Sequence, residues 1–277
     1  MEAAGQSDTA PVETSFGAHV RLRRVGRIAE VTFDRGDGRN ALALQDMRNL
    51  RDAALWLAED TESSVVVLTG AGAFSAGADL ADPALATAAE QPLLERRAAF
   101  KAGPDMCQAW ADLEQITIAA IEGHCIGGGL ALAVSCDHRV MAEGAHLRLP
   151  EIPLGMNMSW RSVPRVTALL GPARAKELII LGRKLDAATA LDWGLADRKA
   201  AQGAALAGAR ALASDYAALP PLALRMSKQA IDVSAQPLGY ATSFMDRDQF
   251  LLTRGTRDQA EAIAAFMEKR PARFSGD

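Results

Sequence analysis

Short apolar runs that alternate with helical segments constrain this chain more than any other feature. The runs SSVVVLTG (63–70) and ITIAAIEG (116–123) end in glycine and have the composition of buried strands. A segment with apolar residues at helical spacing (41–60) precedes the first run, and GGGLALAVSCD begins a helix after the second. Residues 19–35 alternate apolar and polar side chains around Gly26, which predicts a β-hairpin. The order β, α, β, α, β predicts an α/β fold with a mostly parallel sheet wrapped by helices.

Helical patterns dominate the chain beyond Gly155. The segment DAATALDWG predicts a short helix with Asp186 as its N-cap and Gly194 as its stop. Three or four more helices are expected between Ala201 and about Lys269. Because no linker rich in Pro, Gly or Ser intervenes, residues 201–277 are predicted to be a helical subdomain of the same body. The polar, acidic residues 1–16 are predicted to be a flexible tail without features of a targeting signal.

Charge and composition argue against several classes of partner. A net charge of −4 and an aromatic content of 5% disfavour nucleic acid, which needs a basic face and stacking side chains. Residues 116–136 are mostly apolar, but Glu122, His124 and the run of three consecutive glycines make a membrane span unfavourable. The three cysteines show no CxxC spacing, so neither a disulfide framework nor a metal site is predicted. A cytoplasmic protein is expected.

Two loops of small residues, AGAFSAGADL (71–80) and GHCIGGGLALA (123–133), each follow a buried strand. In open α/β sheets, ligands bind beyond the carboxyl ends of the strands, and small residues let a ligand reach the backbone. Two backbone N–H groups from two loops would form an oxyanion hole. Simple tight turns are the alternative. A phosphate cradle and a serine hydrolase have less support, because GxxxxGK[ST], GxGxxG and GxSxG are absent.

The motifs AFSAGADL, GHCIGGGLALAVSCD and LRLPEIPLG, in this order and spacing, resemble the crotonase family, also called the enoyl-CoA hydratase/isomerase family. RNALALQDM, GPARAKELIILGRKLDAATALDWGLAD and AFMEKRPARF extend the resemblance from about His19 to Phe274. The resemblance implies a spiral of repeated ββα units over residues 17–200 and an all-helical trimerisation region over 201–277. It also implies acyl-CoA thioester substrates, with coenzyme A as part of the substrate and no other cofactor, and a homotrimer or dimer of trimers.

The resemblance assigns roles to residues of both small-residue loops. It implies that the N–H groups of Ala78 and Gly128 bind the thioester oxygen. It places the adenine and pantetheine portions of coenzyme A along Ala76, Ala78, Asp79 and Leu80. Many relatives carry a lysine where this chain has Ala81, so one contact is expected to be missing. Lys269 and Arg270 are candidates for binding the phosphates of coenzyme A, either in their own subunit or in a neighbouring one. A solvated helix end is the alternative.

Hydratases of this family use two glutamates, and this chain supplies one of them. By resemblance Glu151 is the catalytic acid–base residue, whereas the other position is Ala131, which can neither accept a proton nor orient water. One acid suits a proton shuttle that isomerises 3-enoyl-CoA to 2-enoyl-CoA. A hydratase with weakened water activation, another reaction of the family assisted by His146 or Ser159, and a non-catalytic acyl-CoA-binding protein stay open.

The acyl pocket is expected to involve residues 84–113, which carry no readable motif. The resemblance also implies that Ala131, Ser159 and Trp160 lie near this pocket, where Ser159 and Trp160 replace the small residues of many hydratases. Trp160 would narrow the pocket or belong to the core. His124 and His146 flank the glycine run and Glu151 in sequence, and each is a candidate for assistance as acid or base or for a local structural hydrogen bond.

Overall fold

The computed structural model describes residues 11–277 of the 277-residue chain. Its strands are β1 Val12–Phe16, β2 Val20–Val25, β3 Ile28–Phe33, β4 Val65–Gly70, β5 Ile116–Ile121, β6 His124–Ile126, β7 His138–Ala142, β8 His146–Arg148, β9 Leu185–Asp186 and β10 Arg198–Ala200. Its helices are α1 Leu44–Glu59, α2 Pro83–Glu90, α3 Leu93–Ala99, α4 Ala102–Ala111, α5 Gly128–Ala133, α6 Ser162–Ile179, α7 Ala187–Trp193, α8 Ala205–Ala217, α9 Pro221–Ala235, α10 Gly239–Ser243, α11 Asp246–Arg254 and α12 Arg257–Glu268.

The main sheet has seven strands in the order β1-β2-β3-β4-β5-β7-β10. The pairs β1–β2 and β2–β3 are antiparallel, and every later pair is parallel. Every residue of β4 and β5 is buried, as their apolar composition predicts. The smaller sheet joins β6 and β8 in parallel and adds β9 antiparallel. The predicted α/β fold, the hairpin within residues 19–35 and the mostly parallel sheet are therefore confirmed.

Two short edge strands differ from the prediction. Residues 12–16, predicted to be flexible, form β1, because Val12, Thr14 and Phe16 turn one half-buried face inward while β1 pairs with β2. Residues 1–10 of the predicted tail lie outside the described residues. The three-residue β10, in a stretch predicted to be helical, pairs with β7 at the other edge, and a strand this short shows no readable period.

Helices in the second half of the chain begin and end largely at the capping and breaking residues that the sequence provides. The Asp186 carboxylate accepts a hydrogen bond from Thr189 N–H at 2.8 Å, and Gly194 ends α7 in a left-handed conformation, as predicted. α6 kinks at Gly171, whose φ is 71°. Five helices, rather than three or four, lie between Ala205 and Glu268, because the chain breaks at the short α10.

The predicted boundary near residue 200 does not separate a free-standing unit. α8 packs on β4, β5 and β7 and buries its Ala205, Ala209 and Ala213 against the sheet. The later helices expose large apolar side chains, such as Leu222, Met226, Ile231, Tyr240 and Phe266. Among the described helices, none is both long and apolar enough to span a bilayer.

Candidate active site

The two small-residue loops meet beside the carboxyl ends of β4 and β6. Ser75 N–H donates to His124 O and Ile126 N–H donates to Ser75 O, both at 3.0 Å. A Cβ on Gly77 would lie 2.7 Å from Ile126 O and 3.4 Å from the backbone nitrogen of Gly128. Only a residue without a side chain allows this approach, so glycine at position 77 brings the AGAFSAGADL loop against the glycine run.

The N–H groups of Ala78 and Gly128 differ from their neighbours in their hydrogen bonding. Gly77 N–H donates to Ser75 Oγ at 3.1 Å, Asp79 N–H to Leu42 O at 2.9 Å, and Gly127 N–H to Arg148 O at 2.9 Å. Within residues 11–277, by contrast, Ala78 N–H and Gly128 N–H have no hydrogen-bond acceptor. Two unpaired donors in adjoining loops are the arrangement that an anionic oxygen requires.

Glu151 reaches the glycine run from the other side. It follows β8 and Pro150 at the start of a 3₁₀ turn, Ile152–Leu154. Its Oε1 would lie 2.7 Å from a Cβ on Gly127, whose φ of 53° also favours glycine. Its Oε2 is shielded from solvent and has no hydrogen-bond partner in the described chain. Burial raises the pKa of this carboxyl to about 7, although a backbone hydrogen bond and the charge of Arg148 act in the opposite direction.

Ala131 lies one helical turn beyond Gly128 and is completely buried in the hydrophobic core. Its N–H donates to Gly127 O at 2.9 Å, and its carbonyl accepts from Ser135 Oγ at 2.8 Å. The methyl group supplies no proton acceptor. The role of this position in the acyl pocket stays a prediction.

Trp160 lies directly against the glycine run. Its indole ring is so close to Gly128, on α5, and to Gly103, on α4, that a methyl group on either glycine would overlap the ring. The half-buried ring also packs on the core, as one of the two interpretations from the sequence expects, whereas its place in an acyl pocket stays a prediction. Ser159 is buried, and its carbonyl accepts from Ser162 Oγ at 2.8 Å.

The residues predicted to contact coenzyme A form the outer part of the AGAFSAGADL loop. Ala76 N–H donates to Arg39 O at 2.8 Å, and Leu80 is 73% exposed. Asp79 is held by Arg35, whose Nη1 lies 2.7 Å from Asp79 Oδ2. The Asp79 carboxylate therefore fixes the loop within the chain. Sequence reasoning missed Arg35, which stands four residues before the RNALALQDM motif and has no motif of its own.

Asn40 is a second residue whose role sequence reasoning missed, although it lies in the quoted motif RNALALQDM. It is buried, and its Nδ2 donates to Ala71 O at 2.9 Å and to Ala73 O at 2.8 Å. Its Oδ1 accepts from Arg35 N–H at 3.0 Å, and its own carbonyl accepts from Ser75 Oγ at 2.7 Å. Asn40 therefore ties the start of the AGAFSAGADL loop to the rest of the chain.

The histidines and the basic residues near the C-terminus occupy other surroundings. His124 and His146 pair with each other across β6 and β8, with ring centroids 5.9 Å apart, and burial lowers the pKa of His146. Lys269 ends α12 with a φ of 54°. Arg270 lies 2.6 Å from both Glu261 and Glu268, which neutralise its charge. Within residues 11–277 neither histidine forms a hydrogen bond or an ion pair with Glu151. The proposed role of Lys269 and Arg270 stays a prediction.

The C-terminal helices hold the segment that follows Glu151. Asn157 N–H donates to Thr253 Oγ1 at 2.9 Å, and Arg161 N–H donates to Asp246 Oδ2 at 2.6 Å. Gly155 lies so close to Gln259 on α12 that a Cβ would be 2.5 Å from its Cα. α11 and α12 therefore position the site of their own chain, a contribution that no sequence motif indicates.

Two other features lie outside this site. A cavity of about 870 Å³ beyond the C-terminal end of α5 is lined in part by Gln108, Ala111 and Asp112, from the segment predicted to form the acyl pocket, but by none of the individually predicted site residues. Two of its lining residues, the buried Lys228 and the half-buried Asp137, form an ion pair at 2.7 Å. Within residues 11–277, no group of three or more His, Cys, Asp or Glu side chains is arranged to hold a metal ion.

Comparison with known proteins connects this geometry to a family. The sequence profile described as "Enoyl-CoA hydratase/isomerase" matches residues 23–277. The chain is 36% identical to "Enoyl-CoA hydratase domain-containing protein 2, mitochondrial" of Bos taurus, over 90% of this chain and 85% of that protein. It is 31% identical to "Short-chain-enoyl-CoA hydratase" of Clostridium acetobutylicum, over 91% and 95% of the two chains. The crystal structure of an enoyl-CoA hydratase/isomerase from Pseudoalteromonas atlantica T6c superposes with a TM-score of 0.82 at 26% identity, covering 93% of this chain and all of that one.

Proposed function

Since the chain belongs to the enoyl-CoA hydratase/isomerase family, we propose that it is an enzyme acting on enoyl-CoA thioesters with Glu151 as its single acid–base catalyst. The observation that carries this proposal is the Glu151 carboxyl, which is shielded from solvent, has an unpartnered Oε2 and has a pKa near 7. A carboxyl in this condition both accepts and returns a proton near neutral pH.

The reaction that fits one carboxylate best is the shift of a double bond. Glu151 removes a proton from the α-carbon of a 3-enoyl-CoA, and the electron pair moves into the thioester carbonyl. The N–H groups of Ala78 and Gly128 bind the resulting oxyanion, a contribution of about 3–4 kcal/mol per donor. The protonated Glu151 then returns its proton to the γ-carbon, which yields 2-enoyl-CoA with no net gain or loss of atoms.

Hydration of 2-enoyl-CoA is the second candidate, because several relatives are named enoyl-CoA hydratases. Hydration requires a base that takes a proton from water and an acid that protonates the α-carbon. Ala131 is buried and apolar where the second carboxylate would stand. The isomerase is favoured because it needs one proton carrier.

The test compares the two reactions on one preparation. The purified protein is incubated with 3-enoyl-CoA and 2-enoyl-CoA thioesters of several lengths. Isomerisation is expected at a kcat/KM at least about tenfold above that of hydration, since each missing acid–base group typically lowers a rate by 10²–10⁴-fold. Hydration at a rate typical of good enzymes would refute the isomerase proposal, and tight binding without any turnover would identify a non-catalytic acyl-CoA-binding protein.

The reaction should depend on pH through Glu151. The base must be ionised, and its pKa is about 7 in the free protein. We therefore expect kcat/KM for isomerisation to rise about tenfold per pH unit below pH 7 and to level off above it. A profile that stays flat from pH 5.5 to 8.5 would contradict the assignment of Glu151 as the base.

The proposal also covers the binding of coenzyme A, the assembly of subunits and the location of the protein. The loop formed by Ala76, Ala78, Asp79 and Leu80 is proposed to bind coenzyme A as part of the substrate, with no additional cofactor. The exposed apolar side chains of α9, including Leu222, Met226 and Ile231, support a contact between subunits, and the family resemblance makes a homotrimer or a dimer of trimers the assembly that we propose. A cytoplasmic location fits the free cysteines Cys107, Cys125 and Cys136.

A further inference from the structure

We propose that Trp160 sets the substrate range by closing the acyl end of the site, so that the enzyme prefers short, unbranched acyl chains. The inference rests on the proposed function, because it takes the N–H of Gly128 as the anchor of the thioester oxygen. It names the substrate class of that same site.

The indole ring fills a slot that two glycines leave open. Gly128 and Gly103 belong to different helices, and a methyl group on either of them would overlap the same ring. The large aromatic side chain of Trp160 therefore lies between α4 and α5 at the point where each helix has a glycine. Residues 84–113, predicted to line the acyl pocket, contribute Gly103 to this slot.

The backbone that carries Trp160 is held in an unusual conformation. Trp160 and Arg161 have φ values of 61° and 55°, a region that residues with a Cβ rarely adopt and that persists only where the surroundings hold it. Arg161 N–H donates to Asp246 Oδ2 at 2.6 Å, and Arg161 Nη1 donates to Gln108 Oε1 at 2.9 Å. Because anchors from α11 and α4 maintain the turn, the ring is expected to keep its place when a substrate binds.

The position of the ring determines what an acyl chain meets first. A thioester oxygen bound to Gly128 N–H places the carbonyl carbon, and the acyl carbons that follow it, beside Gly128. The indole already packs on this glycine, so a short chain ends against the ring, whereas a longer or branched chain overlaps it. One methylene group of misfit in such a pocket changes kcat/KM by about 10–200-fold.

The first experiment measures kcat/KM for enoyl-CoA thioesters of four, six, eight and ten carbons. In the wild type the values are expected to fall with length. Trp160→Ala should raise the ratio of the longest to the shortest substrate at least about tenfold, whereas Trp160→Phe should change it only slightly. Trp193→Ala is the matched control, because Trp193 lies on α7 and stacks on Arg174 outside this site. An unchanged ratio in Trp160→Ala would overturn the inference.

The second experiment tests the contact between the ring and Gly103. Gly103→Ala is expected to lower kcat/KM about tenfold or more in the wild type, because the new methyl pushes the indole into the pocket. In the Trp160→Ala background the same change should cost less than about threefold. Equal effects in both backgrounds would show that the ring does not occupy the slot.

Binding of saturated acyl-CoAs of the same lengths, followed by calorimetry, separates the inference from the proposed function. If the wild type turns over no thioester, the proposed function fails, yet the binding series still reports on the pocket. A preference for short chains that Trp160→Ala relaxes would then support the role of Trp160. A length preference that is the same in both proteins would refute it.

Discussion

Replacing Glu151 by glutamine is expected to lower kcat for isomerisation by about 10²–10⁴-fold, the range typical of a lost general acid–base catalyst. Glutamine has nearly the same shape and keeps the packing against Gly127, but it cannot take or return a proton. Acyl-CoA affinity should change by less than about threefold, because the donors at Ala78 and Gly128 are untouched. Stopped-flow kinetics and calorimetry on the same preparation measure both quantities.

Stability against unfolding supplies the control for this variant. The pKa of Glu151 is about 7 in the folded protein against an ordinary value of 4.5. Below pH 4.5 the carboxyl is protonated in both states, and the penalty for its charge is absent. As the pH rises from 4.5 to 7 the folded state retains a proton that the unfolded state releases, so stability falls by up to about 3 kcal/mol.

Glu151→Gln avoids that penalty and is expected to be more stable than the wild type at pH 8, with the difference vanishing near pH 4. Chemical denaturation at the two pH values measures it. A variant that is inactive and also less stable at pH 8 would indicate a structural role for Glu151. Retained activity in a stable variant would favour another reaction of the family, in which Glu151 is not the base.

Signals confined to a few neighbouring residues could be predicted from the sequence. Local composition alone predicts several features: the buried strands β4 and β5, the N-cap at Asp186 and the two small-residue loops. The meeting of the loops also follows, because parallel strands end at the same edge of a sheet.

Contacts between distant segments could not be predicted in the same way. Asp246 lies 85 positions from Arg161. The residues around either position give no sign that the Asp246 carboxylate supports the turn carrying Trp160. The position of the Trp160 ring likewise depends on two glycines on different helices. Whether Trp160 belongs to the pocket or to the core therefore cannot be predicted without knowing how α4 packs against α5.

Asn40 has an ordinary amide side chain, and its role in the site comes from the hydrogen bonds that its surroundings allow. Its φ of 51° is a conformation that asparagine adopts more readily than most residues. Its side chain joins Arg35 to the carbonyl groups of Ala71 and Ala73, and through Arg35 to Asp79. This network fixes the loop that presents Ala78 N–H.

Asn40→Ala is expected to lower the free energy of unfolding by about 3–5 kcal/mol. The buried carbonyl of Ala73 and the N–H of Arg35 lose their partner, the carbonyl of Ala71 keeps only the bond from Ala73 N–H, and alanine is strained at positive φ. Urea denaturation at pH 7 measures the loss. Asn40→Gly is the matched control: it removes the same hydrogen bonds without the strain, so it should recover about 1–2 kcal/mol. Because the loop carrying Ala78 loses its anchor in both variants, kcat/KM should fall in both, even where they remain folded. Full activity in folded Asn40→Gly would mean that the donor at Ala78 does not depend on this network.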